Sequence, residues 1–341
     1  MNFSKVTKKS AQVILNNIKK SKHILLCFHP GPDGDSIGSC LGLYHFLKQI
    51  NKQVTLIKGD SDLPSNFSCL TGFNKIMAKN YGQLNLKKFD LFIALDASSV
   101  EQISKLNPVT FPPHLKTIAI DHHATNTKYA DINLVDTTSV ATAQIIAQLL
   151  FNWTKNIGED IGLPLMVGIY TDSGGFKYWP TNQQTFKIVA KLSKYAPNFH
   201  RAIFEIENNK QPDQLRFKAL ALNSIETFFS NQIAISSISR RQLVKQKLPA
   251  KHAHDSGMSN ILISVSNWKI GISIVEKETN SCYISLRTRD ARQHNVSKIA
   301  TALGGGGHPA AAGALVRKSL PATKRLVLQT IQDLYPELGK I

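Results

Sequence analysis

The chain has 341 residues, of which 42% are hydrophobic, with a formal net charge of +18 and a pI near 9.7. That length favours two domains over one core, and the composition excludes a mainly disordered chain. The charge points to a polyanionic partner such as nucleic acid, nucleotide or a membrane surface, or reflects solubility alone. Cys27, Cys40, Cys69 and Cys282 form no C-x-x-C pair and no disulfide framework, which argues against a zinc knuckle and fits a reducing compartment. With no signal-like apolar segment near Met1 and no apolar run approaching the ~20 residues of a membrane span, the expectation is a cytoplasmic protein without membrane association.

Residues 1–22 read as a basic helix, with Val6, Ala11, Ile14, Leu15 and Ile18 at near-helical spacing and lysines forming a solvated face. Residues 23–28 form an apolar strand that runs into the loop 29–35. A helix at 37–50 and a strand at 54–57 come next. The pattern repeats with a strand at 91–95 ending at Asp96 and a strand at 117–120 ending at Asp121. A helix follows at 140–151, after the turn-like Asp136-Thr137-Thr138-Ser139, and an apolar helical run at 163–170 leads to Asp172. Strands alternating with helices predict an α/β fold with a parallel, doubly wound sheet. The character changes near residue 195. Residues 196–229 read as a linker with a helix at 213–229, and 230–341 as a smaller mixed α/β domain. Strands are expected there at 232–238, 261–265, 270–275 and 281–286, a helix at 296–303, and then the glycine run 304–307.

The chemistry concentrates where apolar runs stop. His29-Pro30-Gly31-Pro32-Asp33-Gly34-Asp35, Asp96, Asp121-His122-His123 and Asp172 each follow or end such a run, and in open α/β sheets functional groups lie past strand ends. If the 33–35 loop is extended, Asp33 and Asp35 point the same way and repel each other unless cations neutralise them. Asp-Gly-Asp alone is equally a turn that caps a helix. Adjacent histidines at a strand end are expected to diverge, one toward a metal and one toward substrate. Mixed carboxylate and imidazole donors suit Mn²⁺, whereas pure oxygen sites suit Mg²⁺.

Taken in order, these motifs resemble those of the DHH phosphoesterase family. They are His29-x-x-x-Asp33-x-Asp35-x-x-Gly38-Ser39, Asp96 after a strand, Asp121-His122-His123, and Tyr170-Thr171-Asp172-Ser173-Gly174-Gly175-Phe176. Ser285-Leu286-Arg287-Thr288-Arg289, followed by Gly304-Gly305-Gly306-Gly307-His308, resembles the DHHA1 substrate-binding domain. The resemblance implies a catalytic domain at 1–195 and a DHHA1 domain at 230–341. It implies two divalent ions, Mn²⁺ first, with Mg²⁺ or Co²⁺ as other candidates. One ion would be held by His29, Asp33 and Asp96, the other by Asp35, Asp96, His122 and Asp172. Asp96 would bridge them, His123 would face the scissile phosphate or attacking water, and Asp121 would orient a histidine. Arg287, Gly305, Gly306, Gly307 and His308 would bind the nucleotide end.

Within the family the chain looks most like stand-alone oligoribonucleases of the nanoRNase type. These cut very short RNA to mononucleotides, and many also dephosphorylate 3′-phosphoadenosine 5′-phosphate. The rival readings are a phosphodiesterase for cyclic di-AMP or linear pApA, a phosphatase for small 3′,5′-bisphosphates with little nuclease activity, and a catalytically inactive nucleotide-binding module. A homodimer is left open. The chain departs from the family pattern at Gln144, where glutamate is expected, and at Gly31, where asparagine or another polar residue is commoner.

Overall fold

The computed structural model describes residues 6–252 and 257–339. The chain folds as two compact units, Met1–Asn209 and Lys210–Ile341. The stretch 196–229 is therefore divided, with helix α6 (Phe199–Glu207) in the first unit and α7 (Pro212–Asn223) in the second. Among the described residues no helix is long and apolar enough to cross a membrane.

The first unit is built on a five-stranded parallel sheet in the order β2-β1-β3-β4-β5, from β1 (His23–Phe28), β2 (Gln53–Leu56), β3 (Leu91–Leu95), β4 (Lys116–Asp121) and β5 (Ile132–Val135). β1, β3 and β4 read as continuous apolar runs because both of their faces are covered. Ile24, Leu26 and Phe28 belong to the core under the helices, whereas Leu25 and Cys27 join Phe92, Tyr81 and Phe89 in a second core on the opposite face. That second face carries short 3₁₀ turns between residues 65 and 102. The strand order reverses direction between β1 and β3, so the loops leaving their C-terminal ends part and open a crevice. His29–Asp35 leaves β1 and Asp96 leaves β3 at that switch point.

Two helices close this edge. In α2 (Gly34–Gln49), Gly34, Gly38 and Gly42 recur every four residues and lie on one face. That face packs on α4 (Glu159–Asp172) so tightly that a methyl at Gly38 would sit 2.3 Å from the Pro164 carbonyl oxygen. At Gly34 and Gly42, the side chains of Thr171 and Leu165 occupy the same space. The close approach brings the C-terminus of α4, with Asp172, beside the N-terminus of α2, with Asp35. α3 (Thr142–Trp153) packs on both.

The second unit is a six-stranded mixed sheet in the order β10-β11-β9-β8-β7-β6. Its strands are β6 (Ile225–Phe228), β7 (Ile233–Ile238), β8 (Ile270–Glu278), β9 (Ser281–Thr288), β10 (Gly306–His308) and β11 (Ala311–Val316). Only the β7–β8 pair is parallel. Three readings need correction. The run expected as a strand at 261–265 begins inside a helix, Met258–Leu262, because four or five apolar residues fit a buried helix as well as a strand. The helix expected over 213–229 stops at Asn223, and its remainder forms the edge strand β6. Finally, β5, β10, β11, α5 (Gln183–Leu192), α6 and the helix Leu320–Leu334 have no counterpart in the sequence reading.

Candidate metal centre

Local folding places each acidic group. Asp33 is the N-cap of α2: its Oδ1 accepts the Ser36 N–H at 3.0 Å, and Asp35 follows in the first turn. The 33–35 segment is therefore not extended, and the two carboxylates point into adjoining clusters instead of one. Capping and candidate ligation coexist at Asp33, whose other oxygen, Oδ2, lies 3.7 Å from His29 Nε2. Gly31 adopts a left-handed φ of +74°, and its N–H donates to Ser61 Oγ. Asparagine is among the few side-chain-bearing residues that tolerate that conformation, which accounts for either residue at this position. Asp96 also has a left-handed φ, of +57°. Such strain is typical of functional positions, and here it turns the carboxylate into the crevice just past β3.

Three overlapping groups of side chains have donor atoms within 4.8 Å of one another: His29, Asp33 and Asp96; Asp35, His122 and Asp172; and Asp96, His122 and His123. Asp96 faces two ways. Its Oδ2 is 3.4 Å from His29 Nε2, and its Oδ1 is 3.6 Å from His122 Nε2. His122 Nε2 also lies 3.3 Å from Asp172 Oδ2 and 4.0 Å from Asp35 Oδ2. Most of these separations are too long for good hydrogen bonds. They are close to the ~3–3.6 Å spacing of donors that share one ion through bonds of about 2.1 Å. Four carboxylates converge here, and the donor set of imidazole nitrogen and carboxylate oxygen fits divalent cations. Side-chain exposure divides the site into a floor and a mouth: Asp35 and Asp96 are 1% and 2% exposed, against 53% at Asp33, 30% at Asp172 and 34% at His123.

The protonation equilibria show the same unmet demand for positive charge. Burial, with the charges of Asp96, Asp172 and Asp33, pushes the Asp35 carboxyl well above the usual carboxylate range. Burial and the neighbouring carboxylates Asp96 and Asp33 raise Asp172 to about 6, although His122 pulls it down. At His29 burial disfavours the charged ring, but Asp33 and Asp96 outweigh it and raise the imidazole to about 11. An imidazolium there occupies electrostatically the place a cation would take.

The two histidines of the Asp121-His122-His123 motif do not diverge. Their ring centroids are 4.3 Å apart, with planes 59° from each other, and both approach Asp96. Asp121, at the end of β4, is fully buried. It accepts the backbone N–H of His122 at 2.9 Å, the side chain of Asn126 at 2.7 Å, and His123 Nδ1 at 2.8 Å. The histidine it orients is therefore His123. A carboxylate only accepts, so Nδ1 carries the proton and Nε2 is the ring's free edge. Burial opposes the charged ring of His123, but Asp121 and Asp96 prevail and lift it to about 9.

Several supporting groups escape a motif-based reading. The backbone N–H groups of Thr142 and Ala143, at the start of α3, donate to the two oxygens of Asp35 at 2.6 and 2.8 Å, and Ser39 Oγ adds a third bond. Asp35 thus caps a helix distant in sequence. Thr142 Oγ1 donates to Asp96 Oδ1 at 2.9 Å. The only trace in the sequence is the turn at 136–139 that starts α3. Gln144 is buried; its amide donates to Ser139 Oγ at 3.3 Å and accepts from Thr185 Oγ1 at 2.9 Å. It ties α3 to α5 and touches none of the candidate ligands.

In the second unit, strand register sets His308 on β10 opposite Ala311 on β11, which is in turn opposite Arg287 on β9. Residues opposite one another share a sheet face, so the histidine and arginine flank a single methyl group. Arg287 Nη1 donates to the Leu286 carbonyl at 2.9 Å. The glycines divide by role. A methyl at Gly305 or Gly307 would strike the backbone of β11, at Gly313 O or Ala312 Cα, whereas Gly306 has open space around it. Two of the four glycines therefore answer to the β10–β11 contact itself.

Residues 23–169 match the N-terminal domain of the DHH family, and residues 244–335 match the DHHA1 domain. A Thermus thermophilus protein named bifunctional oligoribonuclease and PAP phosphatase NrnA is 27% identical over 93% of this chain and 91% of its own length. A Mycoplasma genitalium protein of the same name is 29% identical over 89% of this chain and 91% of its own. The crystal structure of an exopolyphosphatase-related protein from Bacteroides fragilis superposes with a TM-score of 0.89 at 22% identity, covering 98% of this chain and 99% of that one. That likeness supports the fold.

Proposed function

Because the chain belongs to the DHH phosphoesterase family, with a DHHA1 domain after the catalytic one, we propose that it is a two-metal phosphodiesterase. It cuts very short oligoribonucleotides to mononucleotides and also removes a phosphate from 3′-phosphoadenosine 5′-phosphate. The observation that carries the proposal is Asp96, whose two oxygens face two separate ligand groups. A carboxylate shared in this way is the usual centre of a two-metal phosphoester site. The paired activities in the names of the relatives supply the substrate class.

In this reading His29, Asp33 and Asp96 hold one ion, and Asp35, Asp96, His122 and Asp172 the other. The mixed nitrogen and oxygen donors favour Mn²⁺. Bound ions would acidify a water and absorb charge on the phosphoryl oxygens. Thr142 and Ala143 fix the orientation of Asp35 and favour its ionised form against the burial and like charges that raise it. The hydrogen bond from Nδ1 to Asp121 fixes the ring of His123, which this reading assigns to the substrate and not to an ion. Its free Nε2–H donates to the phosphoryl or leaving oxygen, where negative charge grows during displacement. In the second unit Arg287, Gly305, Gly306, Gly307 and His308 form the nucleotide-holding set. The guanidinium serves a phosphate, and the exposed strand β10 offers backbone N–H groups.

The test is a product analysis with Mn²⁺ on end-labelled RNA of two to five nucleotides, 3′-phosphoadenosine 5′-phosphate and cyclic di-AMP in parallel. Mononucleotides from the short RNA are expected, and Asp33→Ala and Asp96→Ala should abolish them; in calorimetry Asp33→Ala should lose one Mn²⁺ equivalent and Asp96→Ala should weaken both. Turnover of cyclic di-AMP alone would transfer the protein to the cyclic-dinucleotide reading. Full activity in either variant would sink the ligand assignment.

A further inference from the structure

Trp179 is the most exposed large apolar side chain among the described residues, at 91%, with Tyr178 beside it at 54%. Tryptophan is highly buried on average, and leaving such a ring in water forgoes a large hydrophobic gain. The surroundings show that the ring is held out by a built segment. Phe176, at a left-handed φ of +67°, packs between Tyr170 and Phe186, with ring centroids 5.8 and 5.4 Å away. The Tyr178 ring lies against Gly174, where a methyl would meet it at 2.3 Å. Phe176 and Tyr178 thus anchor the segment, and Trp179 is left without such a contact.

The segment is also tied at one end to a candidate ligand and at the other to the turn that opens α3. It begins at Ser173, the residue after Asp172, and the Ser173 carbonyl accepts the N–H groups of both Lys177 and Tyr178 at 2.9 Å. The chain therefore folds back, and covalent geometry keeps the Trp179 Cα within about 8 Å of that carbonyl. At its far end Asn182 Nδ2 donates to the Thr138 carbonyl at 3.2 Å, and Asn182 caps α5. Thr138 lies in the turn that opens α3, whose first residues hold Asp35 and Asp96. The lysine of the segment, Lys177, is exposed.

We infer that Trp179 is the stacking platform for a nucleobase of the substrate, with Tyr178 as its rigid neighbour, so that the first unit reads a base as well as a phosphate. An exposed flat aromatic ring seven residues after a candidate ligand, with an exposed lysine two residues before it, has the makings of the sites by which proteins hold single strands without reading sequence. Such a platform selects ribonucleotides carrying bases over bare phosphodiesters and is tolerant of base identity. The inference rests on the short-RNA reading above.

The experiment pairs kinetics with fluorescence on the Mn²⁺-loaded protein. Trp179→Ala should raise KM for an adenylate dinucleotide by roughly 5- to 150-fold with little change in kcat, and Trp179→Phe should recover most of that loss. The preference of the wild type for this dinucleotide over an abasic analogue should fall by the same factor. Adenosine 5′-monophosphate should quench the tryptophan fluorescence of the wild type, and Trp179→Phe should remove the quench. An unchanged KM, or an equal rise for the abasic analogue, overturns the inference. If the wild type cleaves no RNA but the monophosphate still quenches through Trp179, the short-RNA reading fails and the stacking site stands. Loss of the quench in the wild type overturns the stacking site itself.

Discussion

Gly38→Ala measures how far the centre depends on the approach of α2 to α4. The added methyl would lie 2.3 Å from the Pro164 carbonyl oxygen, and 3.1 and 3.2 Å from the backbone N and Cα of Gly168, where ordinary contact starts at 3.4 Å. All three obstacles are backbone, so no rotamer change relieves them, and α4 must retreat by about 1 Å. Two terms compete. Alanine gains about 0.5–1 kcal/mol over glycine in a helix, whereas an overpacked core loses about 1–3 kcal/mol. The net is a loss of up to about 2.5 kcal/mol, or a fall in Tm of no more than roughly 10 °C for a unit of this size. Function should suffer more than stability. Asp172 rides on the same helix, and about 1 Å of misplacement costs roughly 100-fold in rate. Differential scanning calorimetry, Mn²⁺ titration and turnover on a dinucleotide should show a small shift in Tm beside a large loss of metal affinity and rate. A variant more stable than the wild type and fully active would refute the claim that the glycine face sets the ligand geometry.

The two histidines of the central motif should separate by assay. His122→Ala should remove one of the two Mn²⁺ equivalents, since its Nε2 faces Asp35, Asp96 and Asp172, whereas His123→Ala should bind both yet lose about 10²–10³ in kcat. If both variants lose metal equally, His123 is a ligand. Metal affinity should rise with pH between 5 and 8. His29, at about 11, must shed a proton to coordinate, and Asp172, at about 6, is protonated below that value. Affinity should therefore climb about tenfold per pH unit for each proton released. Calorimetry in buffers of different ionisation enthalpy counts those protons, and an affinity flat across this range would show that neither group coordinates.

The strands that carry the site were the most legible part of the chain. His23–Phe28 and Leu91–Leu95 stand where the apolar runs place them, because a strand buried on both faces has no polar position to blur its limits. Shorter elements were ambiguous. The four residues of β6 follow α7 with only Ser224 between, and a run that short carries too little periodicity to separate a strand from a continuing helix. At the site, residue types named the candidate ligands but not their grouping. Asp33 and Asp35 are two apart in sequence yet enter different ligand groups, because a helix begins between them. The donors that fix Asp35 are backbone N–H groups more than 100 residues away. Every residue but proline has such a group, so only the fold reveals which ones are used.

The net charge of +18 invites the idea that the protein draws in RNA by bulk electrostatics, yet eight of its lysines stand at the wrong edge of the sheet for that. Lys19 and Lys20 lie in the last turn of α1 (Lys8–Lys20), and Lys48 in the last turn of α2. Lys22 and Lys52 directly precede β1 and β2, Lys87 and Lys88 end a 3₁₀ turn three residues before β3, and Lys116 begins β4. All eight therefore gather at the N-terminal edge of the parallel sheet, whereas His29, Asp96 and Asp121 stand at the C-terminal edge. Strands of five or six residues separate the two edges by roughly 17–20 Å, about twice the screening length at physiological salt. Those charges are nearly invisible to a dinucleotide at the crevice. Its affinity should depend on salt only through the one or two phosphates it carries. The expected slope of log KM against log salt is about 0.7 per phosphate contact, so no more than roughly 1.5. A slope of 3 or more for a dinucleotide would mean that the field of the whole protein captures substrate after all. A shallow slope for dinucleotides that steepens only with longer RNA would mean that the lysine-rich edge serves chains long enough to leave the crevice and cross the sheet.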